Sequence, residues 1–297
     1  MIRRIYRKLS RDGIVITLQQ VCRLAFPPQL KHYRYCKPFF QSKVGLEIGG
    51  PSGVFGLRGI VPAYRVAARI DNCNFGSHTI WEGVVSEGDT FRFNKRKAPG
   101  RQYVVEGSDL RFIETATYDF VLSSHCIEHL ANPLQALSEW VRVIKEDGAL
   151  VLVAPHKEVT FDRRRPVTTL DHLIQDFNKK TDERDMTHLE EVLKLHDLSQ
   201  DPCAGDVKAF RERSERNFEN RCMHHHVFDT RLAVEVVHHM GLQILAVEII
   251  FPFHIVIVAQ KLRQGQTVNN ERFRGIDSAP CWQSPYLSDQ QARREKA

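Results

Sequence analysis

The stretch Val44-Gly45-Leu46-Glu47-Ile48-Gly49-Gly50-Pro51-Ser52-Gly53 decides the fold of this chain. The apolar run 44–48 predicts a buried strand, and the Gly, Pro and Ser residues behind it are typical of a turn. Gly49, Gly50 and Gly53 can adopt positive φ and bring bare backbone against a ligand. Open α/β sheets bind their ligands at the carboxyl ends of the strands, so this turn is a candidate ligand cradle.

A repeating order of strands and helices follows this turn. We predict four further strands, at 66–71, 103–105, 118–124 and 149–154. A helix lies before the last of these, because Asn132 is a good N-cap, Pro133 fits the first helical position and Gly148 can end the helix. Strands that alternate with helices indicate a parallel sheet with its ligand at the strands' carboxyl ends.

The rest of the chain divides into three parts by composition. Residues 155–226 are polar, with short helical patterns, and read as an α-rich insertion after the fifth strand. Residues 242–250 and 254–260 are two apolar runs whose short connection predicts an antiparallel pair. The tail 263–297 is rich in Gln, Asn, Arg and Ser, so we expect it to be disordered.

Basic residues are concentrated in the first 43 positions. Ten Lys or Arg residues and a single acid, Asp12, give this arm a charge of about +9, whereas the 297-residue chain carries +6. We therefore expect a helical arm that contacts an anionic membrane surface, or, alternatively, a solvated helix packed on the domain. The remainder is slightly acidic, which argues against a nucleic-acid-binding domain.

Cysteine and histidine patterns bear on metal binding and location. The seven cysteines form no CxxC pair, and no apolar run is long enough for a membrane span, so we expect a cytoplasmic protein without a thiolate zinc site. The run 125–129 also fits the protease pattern HxxEH, but that pattern needs a helix, and Pro133 starts one only after it. Three adjacent histidines at 224–226 cannot all point one way, so we expect no metal there.

Three features together resemble the class I S-adenosylmethionine-dependent methyltransferases. They are the turn at 47–53, Asp71, and the block 118–155, which reads YDFVLSSHCIEHLANPLQALSEWVRVIKEDGALVLVAP. The motif Ser-His-x-x-Glu-His-Leu is similar to that of the methyltransferase type 11-like subgroup. The resemblance implies a Rossmann-like α/β fold for 44–262, with a seven-stranded, mostly parallel sheet, its last strand antiparallel, and helices on both faces.

The same resemblance implies S-adenosyl-L-methionine as the cofactor. Glu47 would support the turn and the cofactor's amino group, and Asp71, predicted to end the second strand, would bind the ribose. Glu106 and Gly107 would contact the adenine, and Ser124 would offer its carbonyl to the ammonium group. The expected cofactor-binding residues are Glu47, Gly49, Gly50, Ser52, Gly53, Asp71, Glu106, Gly107 and Ser124.

A sugar hydroxyl is a weak acid, so methylation of such an acceptor needs a general base. His129 and His125 follow the fourth strand, beside the expected methyl group, and are the candidate catalytic residues. A phosphate or acidic sugar could be bound by charged residues of the insertion. The candidate substrate-binding residues are His156, Asp162, Arg163, Arg164 and His226.

The basic arm and the insertion also resemble methyltransferases of bacterial surface-glycan synthesis. This favours O-methylation of a glycan or other polar acceptor, with peripheral contact at the inner face of the membrane. Two alternatives stay open, a methyltransferase for a small metabolite and a cofactor-binding module without turnover. A nicotinamide-dependent oxidoreductase is disfavoured because 49–53 is not G-x-G-x-x-G.

Overall fold

The structure is a computed structural model that describes residues 28–276 and 278–294. Most of the predicted arm 1–43 lies outside the described residues, so its helical structure stays a prediction. The described end of the arm packs on the sheet, because Leu30 and Phe40 are buried. The Glu248 carboxylate accepts hydrogen bonds from the backbone amides of Lys31 at 2.9 Å and His32 at 3.0 Å. Among the described helices, none is long and apolar enough to cross a membrane.

Ten strands are described, and eight of them form one sheet. They are β1 Val44–Ile48, β2 Arg69–Asn74, β3 His78–Thr79, β4 Gly83–Val84, β5 Gly88–Phe91, β6 Gly100–Val104, β7 Tyr118–Ser124, β8 Ile144–Pro155, β9 Gln243–Ile250 and β10 His254–Gln260. The main sheet has the order β5-β6-β2-β1-β7-β8-β10-β9, and β3 pairs with β4 separately. Neighbouring strands from β6 to β8 run parallel, as predicted.

The predicted count of seven strands is wrong, because the main sheet has eight. Seven of them match the expected arrangement, with β10 antiparallel to both β8 and β9. The eighth, β5, lies between β2 and β6, where we predicted no strand, and it pairs antiparallel with β6 at the sheet edge. Its residues Gly-Asp-Thr-Phe include Gly and Asp, which have low strand propensity. Pairing at the sheet edge, rather than composition, makes this segment extended.

Ten α-helices are described, with five short 3₁₀ turns between them. The helices are α1 Tyr33–Cys36, α2 Ala63–Val66, α3 Pro133–Val143, α4 Leu170–Lys179, α5 Leu189–Leu195, α6 Val207–Glu215, α7 Asn217–Asn220, α8 Thr230–His239, α9 Glu271–Arg274 and α10 Leu287–Arg294. The 3₁₀ turns are Lys37–Phe39, Ile127–His129, Lys157–Val159, Leu198–Gln200 and Pro202–Ala204. Two large apolar cores form, one on each face of the sheet, and a third, small cluster lies within 189–223. The helices α4 to α7 occupy much of 155–226, the predicted insertion.

Helix α3 begins as predicted and ends earlier than predicted. The Asn132 side chain accepts a hydrogen bond from the amide of Gln135 at 3.1 Å, and Pro133 is the first helical residue. The helix stops at Val143 rather than at Gly148, because β8 already starts at Ile144. Gly148 lies inside β8, where a Cβ would come within 2.6 Å of the carbonyl oxygen of Asp119. The glycine therefore permits close strand pairing and does not cap the helix.

The expectation of a disordered tail after residue 263 is wrong for its described part. Phe273 and Trp282 are buried, and the indole Nε1 of Trp282 donates to the carbonyl oxygen of Phe273 at 2.8 Å. Tyr286 stacks on His156 with ring centroids 4.1 Å apart. Burial of a side chain the size of Phe contributes about 1.5–3 kcal/mol, so a few large residues order a segment that is polar on average.

Candidate active site

A cavity of about 650 Å³ lies at the carboxyl ends of β1, β2, β6 and β7. We call its two walls the glycine side and the histidine side. The glycine side consists of Gly49, Ser52, Gly53, Asn74, Glu106, Gly107 and Ser124. The histidine side consists of Trp81, His125, Glu128, His129, His224 and His254. The glycine side and the residues His125, Glu128 and His129 lie at the ends of parallel strands or in the turns that follow them, where such sheets bind their ligands.

The turn after β1 is held from behind by Glu47, which does not line the cavity. The Glu47 carboxylate accepts hydrogen bonds from the amide of Ser52 at 2.9 Å and from the Tyr64 hydroxyl. Burial raises the pKa of Glu47 to about 8, although these two hydrogen bonds act in the opposite direction. Gly50 also lies behind the turn, where a Cβ would come within 2.3 Å of the Glu47 carboxyl. Glu47 and Gly50 therefore shape the turn, while Gly49, at φ +76°, faces the cavity.

Asp71 is not at the end of β2, so that prediction is wrong. The chain is still helical at Val66, β2 starts at Arg69, and three residues follow Asp71 within the strand. Its carboxylate accepts hydrogen bonds from Arg69 Nε at 2.6 Å, from the Arg101 amide at 2.8 Å and from the Tyr118 hydroxyl at 2.9 Å. Asp71 does not line the cavity, and its oxygens bind protein groups.

Asn74 occupies the strand end that the sequence analysis gave to Asp71. It lines the cavity, and its side-chain amide donates to the carbonyl oxygen of Gly50 at 3.2 Å. The signal that could have found Asn74 is the run Asn-x-Asn at 72–74, because polar side chains in a buried strand need partners, and a ligand-binding turn supplies them.

Glu106 and Gly107 line the cavity as predicted, and Glu106 is paired there with an arginine that the sequence analysis missed. Arg221 Nη2 lies 2.8 Å from Glu106 Oε1, and its Nη1 lies 2.7 Å from Glu183 Oε2. Burial raises the pKa of Glu106 to about 7, and the Arg221 charge acts in the opposite direction. The hydroxyl of Ser124, also in this wall, is buried and has no hydrogen-bond partner among the described residues. It is a free polar group for a ligand.

The open cluster, which we define as Glu128, His129 and His224, forms the centre of the histidine side. One ring nitrogen of each histidine and one Glu128 oxygen lie within 4.8 Å of one another. His129 Nδ1 lies 3.3 Å from the carbonyl oxygen of Met223, which can accept a hydrogen bond only if Nδ1 carries the proton. That hydrogen bond leaves the lone pair on Nε2, 4.0 Å from Glu128 Oε1.

Electrostatics keep His129 neutral and Glu128 ionised. Burial and then the neighbouring His224 lower the pKa of His129 to about 4, although Glu128 acts in the opposite direction. Burial opposes ionisation of Glu128, yet the hydrogen bond from His125 and the charges of His129 and His224 bring its pKa below the ordinary value. His129 therefore presents an unprotonated nitrogen at neutral pH, next to a carboxylate that can stabilise its protonated form.

His125 lies beside this cluster, but both of its ring nitrogens face protein groups. Its Nε2 is 2.8 Å from His254 Nδ1, and its Nδ1 is 3.7 Å from Glu128 Oε1. The residue has φ +52°, which turns the chain sharply after β7. His125 thus lines the cavity with less freedom to accept a proton than His129.

Residues 86–152 match the family profile of the methyltransferase domain. The chain carries a methyltransferase domain. Its methyl donor is S-adenosylmethionine. The matched segment runs from β5 into β8 and contains the Glu106 loop, Ser124 and the 3₁₀ turn that carries His129.

Solved structures and curated proteins provide two further comparisons. A SAM-dependent methyltransferase from Aquifex aeolicus is 13% identical, with 81% of this chain and 93% of that chain covered and a TM-score of 0.41. A SAM-dependent methyltransferase from Methanosarcina mazei is 15% identical, with 80% of this chain and 100% of that chain covered and a TM-score of 0.43. No curated protein matches this sequence.

None of the five candidate substrate-binding residues lines the cavity of the methyltransferase. Asp162 lies directly behind it, with Oδ2 2.5 Å from His224 Nδ1. Arg163 and Arg164 are partly exposed and pair with Asp197 at 2.5 Å and 3.5 Å. The sequence shows that charged residues are clustered in this segment, but it does not show the direction in which each side chain points.

The two remaining candidates, His156 and His226, are fully buried. His156 Nε2 lies 3.3 Å from Asp289 Oδ2, in contact with the ordered tail. His226 Nε2 lies 3.3 Å from the carbonyl oxygen of Ala131. Each therefore joins segments of the fold away from the cavity.

Aromatic and charged residues of the cavity were missed by the sequence analysis. Trp81 is 52% exposed, with its ring 5.3 Å from that of His129. Phe161 lies 4.5 Å from the His224 ring, and Arg213 pairs with Asp201 at 2.9 Å. All of these residues line the cavity. Trp81 and Phe161 could have been found because each is a large aromatic residue within a polar stretch of sequence. Such a residue indicates ligand contact as well as packing.

Proposed function

We propose that this methyltransferase transfers the methyl group to a hydroxyl oxygen of a polar acceptor, most specifically a glycan, with His129 as general base. The observation that carries the proposal is the position of His129 in the cavity wall. Its Nδ1 is engaged by the Met223 carbonyl, and its Nε2 is left to accept a proton.

The glycine side fits the donor. Backbone of Gly49 and Gly53 lies bare on the cavity, and the Ser124 hydroxyl has no partner among the described residues. We assign Gly49, Ser52 and Gly53 to the amino-acid half of the donor, and Glu106 and Gly107 to its adenine. The bound donor supplies an electrophilic methyl group on a sulfonium, and these residues hold it in place.

His129 would take the proton of the acceptor hydroxyl on Nε2 as that oxygen bonds to the methyl carbon and the bond between this carbon and the donor's sulfur breaks, so that the neutral demethylated donor is the leaving group. The resulting imidazolium is stabilised by the Glu128 carboxylate, whose Oε1 lies 4.0 Å away. General-base catalysis of this kind contributes about 10²–10⁴-fold in rate. The protein's other contribution is the alignment of oxygen and methyl carbon.

Trp81 of the histidine side and other residues that line the cavity support a sugar-like acceptor. Trp81 and Phe161 offer apolar ring faces, and Gln200, Asp201 and Arg213 offer hydrogen-bonding groups within the same cavity. A cavity with aromatic faces and a few polar groups suits a ligand that is polar at its edges and apolar on its faces. A small metabolite with one hydroxyl would leave most of these groups unused.

The basic arm 1–43 suggests where the acceptor is found. Its charge of about +9 favours an anionic surface, so we propose peripheral contact with the inner face of the membrane and a lipid-linked or surface glycan as acceptor. Co-sedimentation of the full chain with phosphatidylglycerol vesicles and with phosphatidylcholine vesicles tests the contact. Binding to both or to neither contradicts it.

Two measurements test the proposed function in sequence. Thermal unfolding of the full chain with S-adenosylmethionine, S-adenosylhomocysteine or NADH should show stabilisation by the first two. Incubation with labelled methyl donor and a lipid-linked glycan extract should then give alkali-stable label in the glycan. Stabilisation without transfer to the glycan or to metabolite extract would instead indicate a binding module.

A further inference from the structure

A second group of histidines lies outside the cavity. His172 and Asp176 are one turn apart on α4, His188 precedes α5, and His226 precedes α8. Because residues four apart on a helix face the same way, α4 presents an imidazole and a carboxylate together. We call these four residues the closed cluster, and none of them lines the cavity.

Their potential ligand atoms lie near one another, and two of the separations match those around a tetrahedral metal ion. One ring nitrogen of each histidine and one Asp176 oxygen all lie within 4.8 Å of one another. His172 Nε2 is 3.1 Å from His188 Nε2 and 3.3 Å from Asp176 Oδ2. Zinc bonds of about 2.0–2.1 Å place tetrahedral ligands about 3.3–3.4 Å apart.

The cluster contains buried polar atoms without partners. Asp176 Oδ2 and His226 Nδ1 are both buried, and neither has a hydrogen-bond partner among the described residues. Unsatisfied atoms of this kind cost about 1–3 kcal/mol each, so two in one cluster need an explanation. A bound cation provides one, because it accepts lone pairs from both groups.

Neighbouring groups already hold two of the side chains in place. Asp176 Oδ1 accepts a hydrogen bond from the Thr181 hydroxyl at 3.1 Å, which leaves Oδ2 free. His226 Nε2 lies 3.3 Å from the carbonyl oxygen of Ala131, which positions the ring. Metal ligands in proteins are held in this manner by hydrogen bonds to their second atom.

We propose that His172, Asp176, His188 and His226 bind a structural zinc ion. Three imidazole nitrogens and one carboxylate oxygen suit zinc, and four protein ligands complete a tetrahedral site without an open position for catalysis. The ion would fasten α4 and α5 to the segment before α8. It explains why His226, alone among the three adjacent histidines, faces these groups, while His224 turns to Asp162 and His225 to Asn217.

The open cluster is the competing metal site. It also brings three donors together, but it faces the cavity and offers only three ligands. Within it, His224 pairs with Asp162, and His129 has the geometry of a free base. The two clusters can be separated by substitution, since they share no residue.

Elemental analysis of the untagged full chain, purified without chelator, tests the proposal. We expect about one zinc ion per chain, and less than about a tenth of that for His188→Ala and for Asp176→Asn. Asp176→Asn keeps the shape of the side chain and should still fold. Replacement of zinc by Co²⁺ should give the strong visible absorption of a tetrahedral cobalt site in the native chain alone.

Two control variants make the outcome decisive. His239 is exposed on α8, so His239→Ala should retain the zinc. His129→Gln, in the open cluster, should retain it as well. A chain without zinc that gives no tetrahedral cobalt spectrum overturns the proposal, as does zinc that is lost from His129→Gln and kept by His188→Ala.

Discussion

The open and closed clusters are built from the same kinds of side chain and differ in what surrounds them. Both combine histidines with one carboxylate, and both bring their ligand atoms within 4.8 Å. The open cluster faces a cavity of about 650 Å³, whereas the closed cluster lies among helices away from it. The comparison teaches that residue type determines the chemistry that a cluster can perform. Whether a substrate can reach the cluster determines whether it serves catalysis or stabilises the fold.

The largest effect should come from replacing the base of the open cluster. We expect His129→Gln to lower kcat about 10²–10⁴-fold, because Gln cannot take the acceptor's proton. Donor affinity should stay unchanged, since the substituted group contacts the acceptor side. Methyl transfer to the most heavily labelled acceptor fraction measures the rate. The matched variant His172→Gln, in the closed cluster, should keep kcat, and equal rates for both variants would break the contrast.

For thermal stability we expect the opposite order, with the larger loss from substitution in the closed cluster. We expect His188→Ala to lose about 2–4 kcal/mol of stability, because a ligand of the structural ion is removed, which corresponds to roughly 5–15 °C in Tm. His129→Gln should shift Tm by much less. Calorimetry on chains purified without chelator measures both. If His129→Gln is the less stable of the two, the assignment of structural and catalytic roles is wrong.

Much of the fold could be predicted because periodicity and turn chemistry are local. The strand β7, the Asn132 cap with Pro133, and the β9–β10 pair follow from patterns of a few residues. What failed depends on tertiary contacts. The edge strand β5 is extended because it pairs with β6. The tail is ordered by the contacts of Trp282 and its neighbours, which its average composition does not reveal.

The candidate site was predictable for its turns and not for its side-chain directions. Gly49, Ser124 and His129 line the cavity because strand ends fix where the chain must pass. Asp162 and His226 were expected there from their charge and chemistry, yet their side chains point into the protein. No local pattern records the direction of a loop side chain.

The pH dependence of the reaction should sharpen the role of His129 further. Burial and His224 lower its pKa to about 4, so it stays a neutral base down to about pH 5. We expect kcat/KM to fall only below that pH, instead of near the ordinary histidine value of about 6.5. With its pKa depressed in the folded state, His129 also contributes stability that is present above pH 6.5 and is lost as the pH falls toward 4. An acidic limb near pH 6.5 would point to another base.

The smallest effect should be on donor binding, where Asp71 and Asn74 give a second contrast between a residue outside the cavity and one that lines it. Asp71 lies outside the cavity with its oxygens bound to Arg69, the Arg101 amide and Tyr118, whereas Asn74 lines the cavity and supports the turn through the Gly50 carbonyl.

Asp71→Asn should therefore change the Kd of S-adenosylmethionine by less than about twofold. Asn74→Ala should weaken binding about fivefold, because a hydrogen bond contributes about 1 kcal/mol. Isothermal titration of both variants at equal fold stability measures this. A tenfold loss for Asp71→Asn, with Asn74→Ala unaffected, would mean that the acid rather than the strand end positions the donor.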